Sequence, residues 1–290
     1  MMTKFSPSEA ALEGFRLSRE QPSAILVWSL LYFVGLLAMG IAMNTMAGPE
    51  FKQFIQSGGM QAGDPKAYVG MLKRSWPAFV VVLVLDTFVS SVLTGGIFRM
   101  VLKPLDKGVA HMQLGQDEIR LALVNLVMLA IGILSFVIAA TFATMIGGFP
   151  GVLVGFGLSC LLIWVGVRLI LVTPMTFGEG RIAIAESWKL TEGHFWPLLG
   201  MALLSIVFYV MVWALLSVIG LAFVSIGGGA TTIAHPSHFR PLSALAVVMT
   251  LFIEVVIQTL KVIMLTSPLA VAYRELKQDD AWKVGVWAKS

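Results

Sequence analysis

A chain of 290 residues with 58% apolar and only 12% charged side chains cannot cover a soluble fold, which needs roughly a quarter of its residues charged. The net charge of +4 is thinly spread, which excludes a nucleic-acid site and a dense polybasic lipid patch. A mean hydropathy of +0.88 makes lipid the main solvent. The expected class is an all-α, polytopic integral membrane protein forming a single membrane domain over 1–290.

The chain opens with a polar stretch over 1–22. Its segment SPSEAALEGFRLSRE predicts an amphipathic interfacial helix with a capping box, Ser6 accepting from the backbone while Glu9 reaches back, and Pro7 at the first helical position. The stretch is too long for a signal-peptide n-region, and the apolar run after it is too long for an h-region. The first span is therefore expected to stay uncleaved.

A bilayer crossing needs about 20 apolar residues. Six stretches qualify, at 23–47, 76–101, 118–147, 152–177, 196–226 and 242–267, with 268–290 as a C-terminal segment on the cytoplasmic side. Spans three and four are separated only by Gly147-Gly148-Phe149-Pro150-Gly151, a tight-turn signal that makes them an antiparallel hairpin. Placing the N-terminus in the cytoplasm puts thirteen Lys and Arg residues inside and five outside, with Arg168 and Lys261 within spans. By the positive-inside rule both termini are expected to be cytoplasmic.

Each even-numbered span ends on a basic residue followed by a proline: Arg99 and Pro104, Arg168 and Pro174, Lys261 and Pro268. Proline cannot continue the helical ladder, so the chain is expected to bend there and lie along the membrane surface. With the N-terminal segment, this predicts three units, each an interfacial helix followed by a two-span hairpin. Leu17, Leu114 and Leu190 are the corresponding positions, and internal duplication is one reading of the pattern. Shared membrane-boundary chemistry is the other.

Charges deep in lipid need a partner or a water-filled cavity. Asp86 lies near the middle of span two, Glu254 near the middle of span six, and Arg168 in the inner half of span four. Glu254, Gln258 and Lys261 recur at a spacing that shares one helix face, and Lys261 is placed to snorkel. These five residues are the candidate site. Either they pair within the bundle, with Asp86 and Arg168 as the first pair to test, or they line a polar cavity for a headgroup, ion or small solute.

Small residues at Gly151, Gly155 and Ser159 predict a close helix–helix approach. Gly95-Gly96 is expected to loosen span two, and Gly227–Gly229 to act as a flexible linker. Cys160 reads as a small packed hydrophobe, and His111 and His194 as solvated. His235 and His238 stand in a proline-bearing loop without a nearby carboxylate or cysteine, so no metal is expected. No Ser–His–acid order, zincin motif or P-loop appears. Neither a catalytic residue nor a cofactor is expected.

The stretch VRLILVTPMTFGEGRIAIAESWKLTEGHFWPLLG (167–200) and the earlier FRMVLKPLDKGVAHMQLGQDEIRLALV (98–124) resemble the bacterial membrane domain named after glycerophosphoryl diester phosphodiesterase. The most specific piece is Ala185-Glu186-Ser187-Trp188-Lys189-Leu190 with Phe195-Trp196 downstream. The resemblance implies a six-span bacterial inner-membrane protein. In that family the membrane domain is sometimes joined to a soluble catalytic barrel. Too little chain follows span six here for one, so the enzymatic activity is not expected to carry over. The expected function is a non-enzymatic role in lipid or envelope homeostasis, or as a scaffold, with membrane lipids as partners. The alternative is a transporter or permease for a small polar or lipid-like solute.

Overall fold

In lipid every backbone N–H and C=O must be paired within the segment, so long apolar runs have the helix as their solution. The structure, a computed structural model, describes residues 5–49, 51, 54, 65–103, 111–112, 115–227 and 241–287. Among these residues it contains nine helices and no strand. They are α1 (Pro7–Glu20), α2 (Pro22–Met46), α3 (Pro65–Leu102), α4 (Gln116–Ile146), α5 (Gly148–Leu169), α6 (Val172–Glu179), α7 (Ile184–Leu190), α8 (Phe195–Ile226) and α9 (Pro241–Trp287). Six helical stretches are long and apolar enough to cross a bilayer: Pro22–Met46, Val69–Leu102, Gln116–Ile146, Gly148–Glu179, Phe195–Ile226 and Leu242–Asp279. The protein is all-α and polytopic.

The α4–α5 hairpin closes through one residue. Gly147 and Gly148 have φ of 65° and 55°, a left-handed backbone that glycine enters without a Cβ clash. A Cβ on Gly151 would strike the Ala143 carbonyl, and one on Gly155 would sit 3.1 Å from the Ala143 Cβ. The small-residue face expected to meet another helix thus packs on α4, its own hairpin partner. Ser159 is exposed and returns its hydroxyl to the Gly155 carbonyl at 2.8 Å. Cys160, expected to be packed, is exposed.

Two expectations about proline are corrected. Pro268 does not turn the chain, because α9 runs through it to Trp287. An internal proline costs about 3 kcal/mol in lost hydrogen bonding and ring clash. Burial of Ala270, Val271, Ala272, Tyr273 and Leu276 beyond it holds the helix together. Likewise Pro174 lies inside α6, and the break comes earlier, at Ile170–Leu171. Pro104 and most of the segment after it, Leu114 included, fall outside the described residues, as do His235, His238, Gly228 and Gly229.

The capping box at Ser6 is also corrected. The Ser6 hydroxyl is engaged with the Ser8 hydroxyl at 3.3 Å rather than with the first N–H groups of the helix. Nor does α1 merely float on the surface. It buries Ala10, Ala11, Glu13, Gly14 and Leu17, and a Cβ on Gly14 would come within 2.9 Å of the Met264 Cα.

The chain divides into two compact units. The first holds residues 1–24, 91–209 and 262–290, and the second residues 25–90 and 210–261. In the second unit α2 approaches α3 where Gly35 meets Val89, a Cβ there falling 2.7 Å from Val89 Cγ2. Ser29 donates to the Thr259 hydroxyl at 3.3 Å, and Ser243 donates to the Gly227 carbonyl at 3.0 Å. The first unit gathers α1, the short helices α6 and α7, and most of the charged side chains considered next.

Candidate functional site

Among the described residues the most deeply buried charges are Arg99 and Glu118, 4% and 1% exposed. Arg99 stands in the last turn of α3 and Glu118 in the first turn of α4. Each position suits its helix, since a cation favours a C-terminus and an anion an N-terminus. The Arg99 Nη2 and Glu118 Oε1 form an ion pair. Glu118 Oε2 accepts from the Gly115 N–H at 2.9 Å, while Arg99 Nη1 donates to the His111 carbonyl at 3.2 Å. The Phe177 ring lies 5.4 Å from the guanidinium, close enough for cation–π attraction. Gly95 leaves the space for this carboxylate, since a Cβ there would sit 3.0 Å from Glu118 Oε1. The glycine pair expected to loosen the span therefore admits a neighbour. His111, expected to be solvated, has a buried Nδ1 and a φ of 59°.

A second polar group joins three helices of the same unit. Asn125 Nδ2 donates to Ser91 Oγ at 2.9 Å, and Thr173 Oγ1 donates to Asn125 Oδ1 at 3.4 Å. Amide, hydroxyl and amide oxygen thus satisfy one another, as buried polar groups require.

Arg168 closes α5. Trp164, one turn earlier on the same face, and Trp188 of α7 lie 5.6 and 5.5 Å from its guanidinium, and the two indoles meet edge to face at 5.3 Å. Its Nη1 donates to the Trp188 carbonyl at 3.3 Å, while its Nε is buried without a partner. The Arg168 carbonyl, an orphan of the helix end, accepts from Ser187 Oγ at 3.1 Å. Thr191 Oγ1 lies at 3.1 Å from the same oxygen and at 2.8 Å from the Ser187 carbonyl. Ser187 and Thr191 are fully buried, so the Ser-x-x-x-Thr spacing docks α7 on the end of α5. Ser187→Ala is expected to cost about 1 kcal/mol, since it removes one of the two hydroxyls that reach that carbonyl and leaves Thr191. A thermal melt unchanged from wild type would show that the cap contributes nothing.

A cleft of about 390 Å³ opens among α6, α7, the turn before α8 and α9. Glu179, Glu186, Lys189, His194, Tyr273 and Lys277 are among its lining residues. Lys277 Nζ is 2.7 Å from Tyr273 Oη and 3.4 Å from Glu179. Arg181 bridges Glu179 at 3.0 Å and Glu186 at 2.6 Å. The Glu186 carboxyl is held below its ordinary range by its own backbone N–H and then by Arg181, and Arg181 is correspondingly raised by Glu186. Both signs of charge thus line one cleft. His194, also expected to be solvated, is half-buried with Nδ1 at 2.9 Å from the Glu192 carbonyl. On the α4–α5 hairpin an apolar crevice of about 400 Å³ is lined by Ile138, Phe142, Val154, Leu158 and Leu161, among others.

The sequence-predicted residues are only partly brought together. Asp86 accepts from the Tyr32 hydroxyl at 2.6 Å, and Arg168 engages Trp188 and Trp164. Glu254 is exposed and accepts from Gln258 Nε2 at 2.8 Å, which confirms their shared face. Gln258 Oε1 is buried without a partner, and Lys261 is half-buried. The Arg99–Glu118 pair escaped sequence reasoning because both residues stand at the ends of their spans, where a charge needs no buried partner. Among the described residues no group of three His, Cys, Asp or Glu side chains is placed to hold a metal. Compared with known proteins, the chain matches no family model, no curated protein and no solved structure.

Proposed function

We propose that this protein is a non-enzymatic membrane module that binds lipid and acts in lipid or envelope homeostasis or as a scaffold. The carrying observation is the mixed-charge cleft bounded by Glu179, Glu186, Lys189 and Lys277, on a chain with six stretches fit to cross a bilayer. Carboxylates and ammonium groups together suit a headgroup carrying both signs, and the apolar crevice on α4–α5 suits an acyl chain. The polar groups of the spans support a structural role, with Asp86 held by Tyr32, Arg99 by Glu118 and Asn125 by Ser91.

The resemblance of 167–200 and 98–124 to the phosphodiesterase-named membrane domain favours a bacterial inner membrane, and the distribution of Lys and Arg favours cytoplasmic termini. The test is purification in mild detergent followed by lipid analysis and a melt. Phospholipid is expected to co-purify, and stripping it to lower Tm by several degrees. Lipid-free protein of unchanged Tm would sink the proposal.

The transporter reading rests on Glu254 and Gln258, an exposed carboxylate and a buried unpartnered amide oxygen near the middle of a span. Solute flux into proteoliposomes that Glu254→Gln abolishes would favour it.

A further inference from the structure

We infer that Arg168, bracketed by Trp164 and Trp188, is a recognition site for the phosphate group of a membrane phospholipid, an inference that rests on the lipid-binding reading above. The geometry separates this arginine from Arg99. The Arg99 charge is matched by a buried carboxylate, whereas Arg168 has two indole faces, one carbonyl and, among the described residues, no ion-pair partner. Indole faces attract a cation through their quadrupole but carry no net charge. They hold the guanidinium plane in place and leave its charge to be met from outside. Only Nη1 has a hydrogen-bonded acceptor, so most of the five N–H donors of the fork remain unused.

Placement selects the anion. Arg168 stands in the last turn of α5, inside the span Gly148–Glu179, and its two tryptophans are a little over a third exposed. Tryptophan concentrates at headgroup depth, where phosphates are the abundant anions. The guanidinium fork matches phosphate oxygens two at a time. The helix end would oppose an anion through its free carbonyls, but the Arg168 carbonyl is covered by Ser187 and Thr191. The same two hydroxyls fix Trp188 against the guanidinium by docking α7. The site is therefore built before any ligand arrives.

The test is native mass spectrometry of the full chain in detergent, supplied with a phosphatidylglycerol, a phosphatidylethanolamine and a diacylglycerol of identical acyl chains. Both phospholipids are expected to be retained about tenfold over the diacylglycerol, since both carry the phosphate and it does not. Arg168→Gln is expected to remove that preference, and Arg168→Lys to keep part of it, because an ammonium is a point charge without the fork. Retention unchanged in Arg168→Gln would overturn the site while leaving the lipid-binding reading intact. A wild-type protein that retains no lipid of any kind would remove both. A wild-type protein indifferent to the phosphate would overturn the site even where the variant fails to fold. Displacement of the phospholipids by an equal concentration of inorganic phosphate would overturn the lipid source and make this a soluble-anion site.

Discussion

Replacing Glu118 with alanine is expected to destabilise the protein by about 3–5 kcal/mol, the cost of leaving a buried charge without its partner. Arg99 is 4% exposed and cannot reach water without opening α3 from α4. The His111 carbonyl and the Phe177 ring would still face the guanidinium, but neither carries a compensating charge. The Gly115 N–H would lose its acceptor as well. The double variant Arg99→Met with Glu118→Leu should recover most of the loss, since an apolar pair of similar volume avoids the desolvation of both ions. Denaturant or thermal unfolding in one detergent, run on both singles and the double, measures the coupling. Additive losses would show that the two side chains do not act as a pair.

Gly14→Val should release α1 from α9. The added Cβ would lie 2.9 Å from the Met264 Cα and 3.3 Å from the Ser267 Oγ. The first of these is backbone and cannot swing aside. Overpacking of this kind costs about 1–3 kcal/mol, and α1 can avoid the cost by leaving. With it would go the burial of Ala10, Ala11 and Leu17. Limited proteolysis is therefore expected to cut between Glu20 and Pro22 in the variant under conditions that spare the wild type. Equal cleavage of both would mean that α1 is not held through Gly14.

The spans were legible because uninterrupted apolar length has one backbone solution in lipid, and the α4–α5 turn because two adjacent glycines leave few alternatives. What escaped was partnership across the fold. Arg99 and Glu118 are nineteen residues apart on either side of a loop, and nothing local distinguishes a buried charge from a solvated one. Only Gly95, within the preceding span, hinted that something large approaches there. Asp86 meets the Tyr32 hydroxyl, a partner fifty-four residues away in an apolar run that no local pattern links to it. Pro268 misled for the opposite reason. The local cost of a proline is visible in the sequence, whereas the packing beyond it that offsets this cost is not. Arg168 was found, yet its tryptophan bracket depends on α7 folding back onto α5.

The one-residue closure between α4 and α5 has a consequence for bilayer thickness. Met145, Phe149 and Val152 around that turn are 78%, 74% and 66% exposed, and Gly147 to Gly151 offer no ionisable group. From Leu121 to Ile146 the apolar part of α4 is about 39 Å long at the helical rise, against a hydrocarbon core of about 30 Å. The hairpin is pinned at its charged end, by Arg120 with Asp117 and by Arg99 with Glu118, and carries no polar anchor at its tip. A thicker membrane finds apolar surface already waiting, and a thinner one is met by tilting about the pinned end. This minimal loop thereby gives the hairpin tolerance to hydrophobic mismatch.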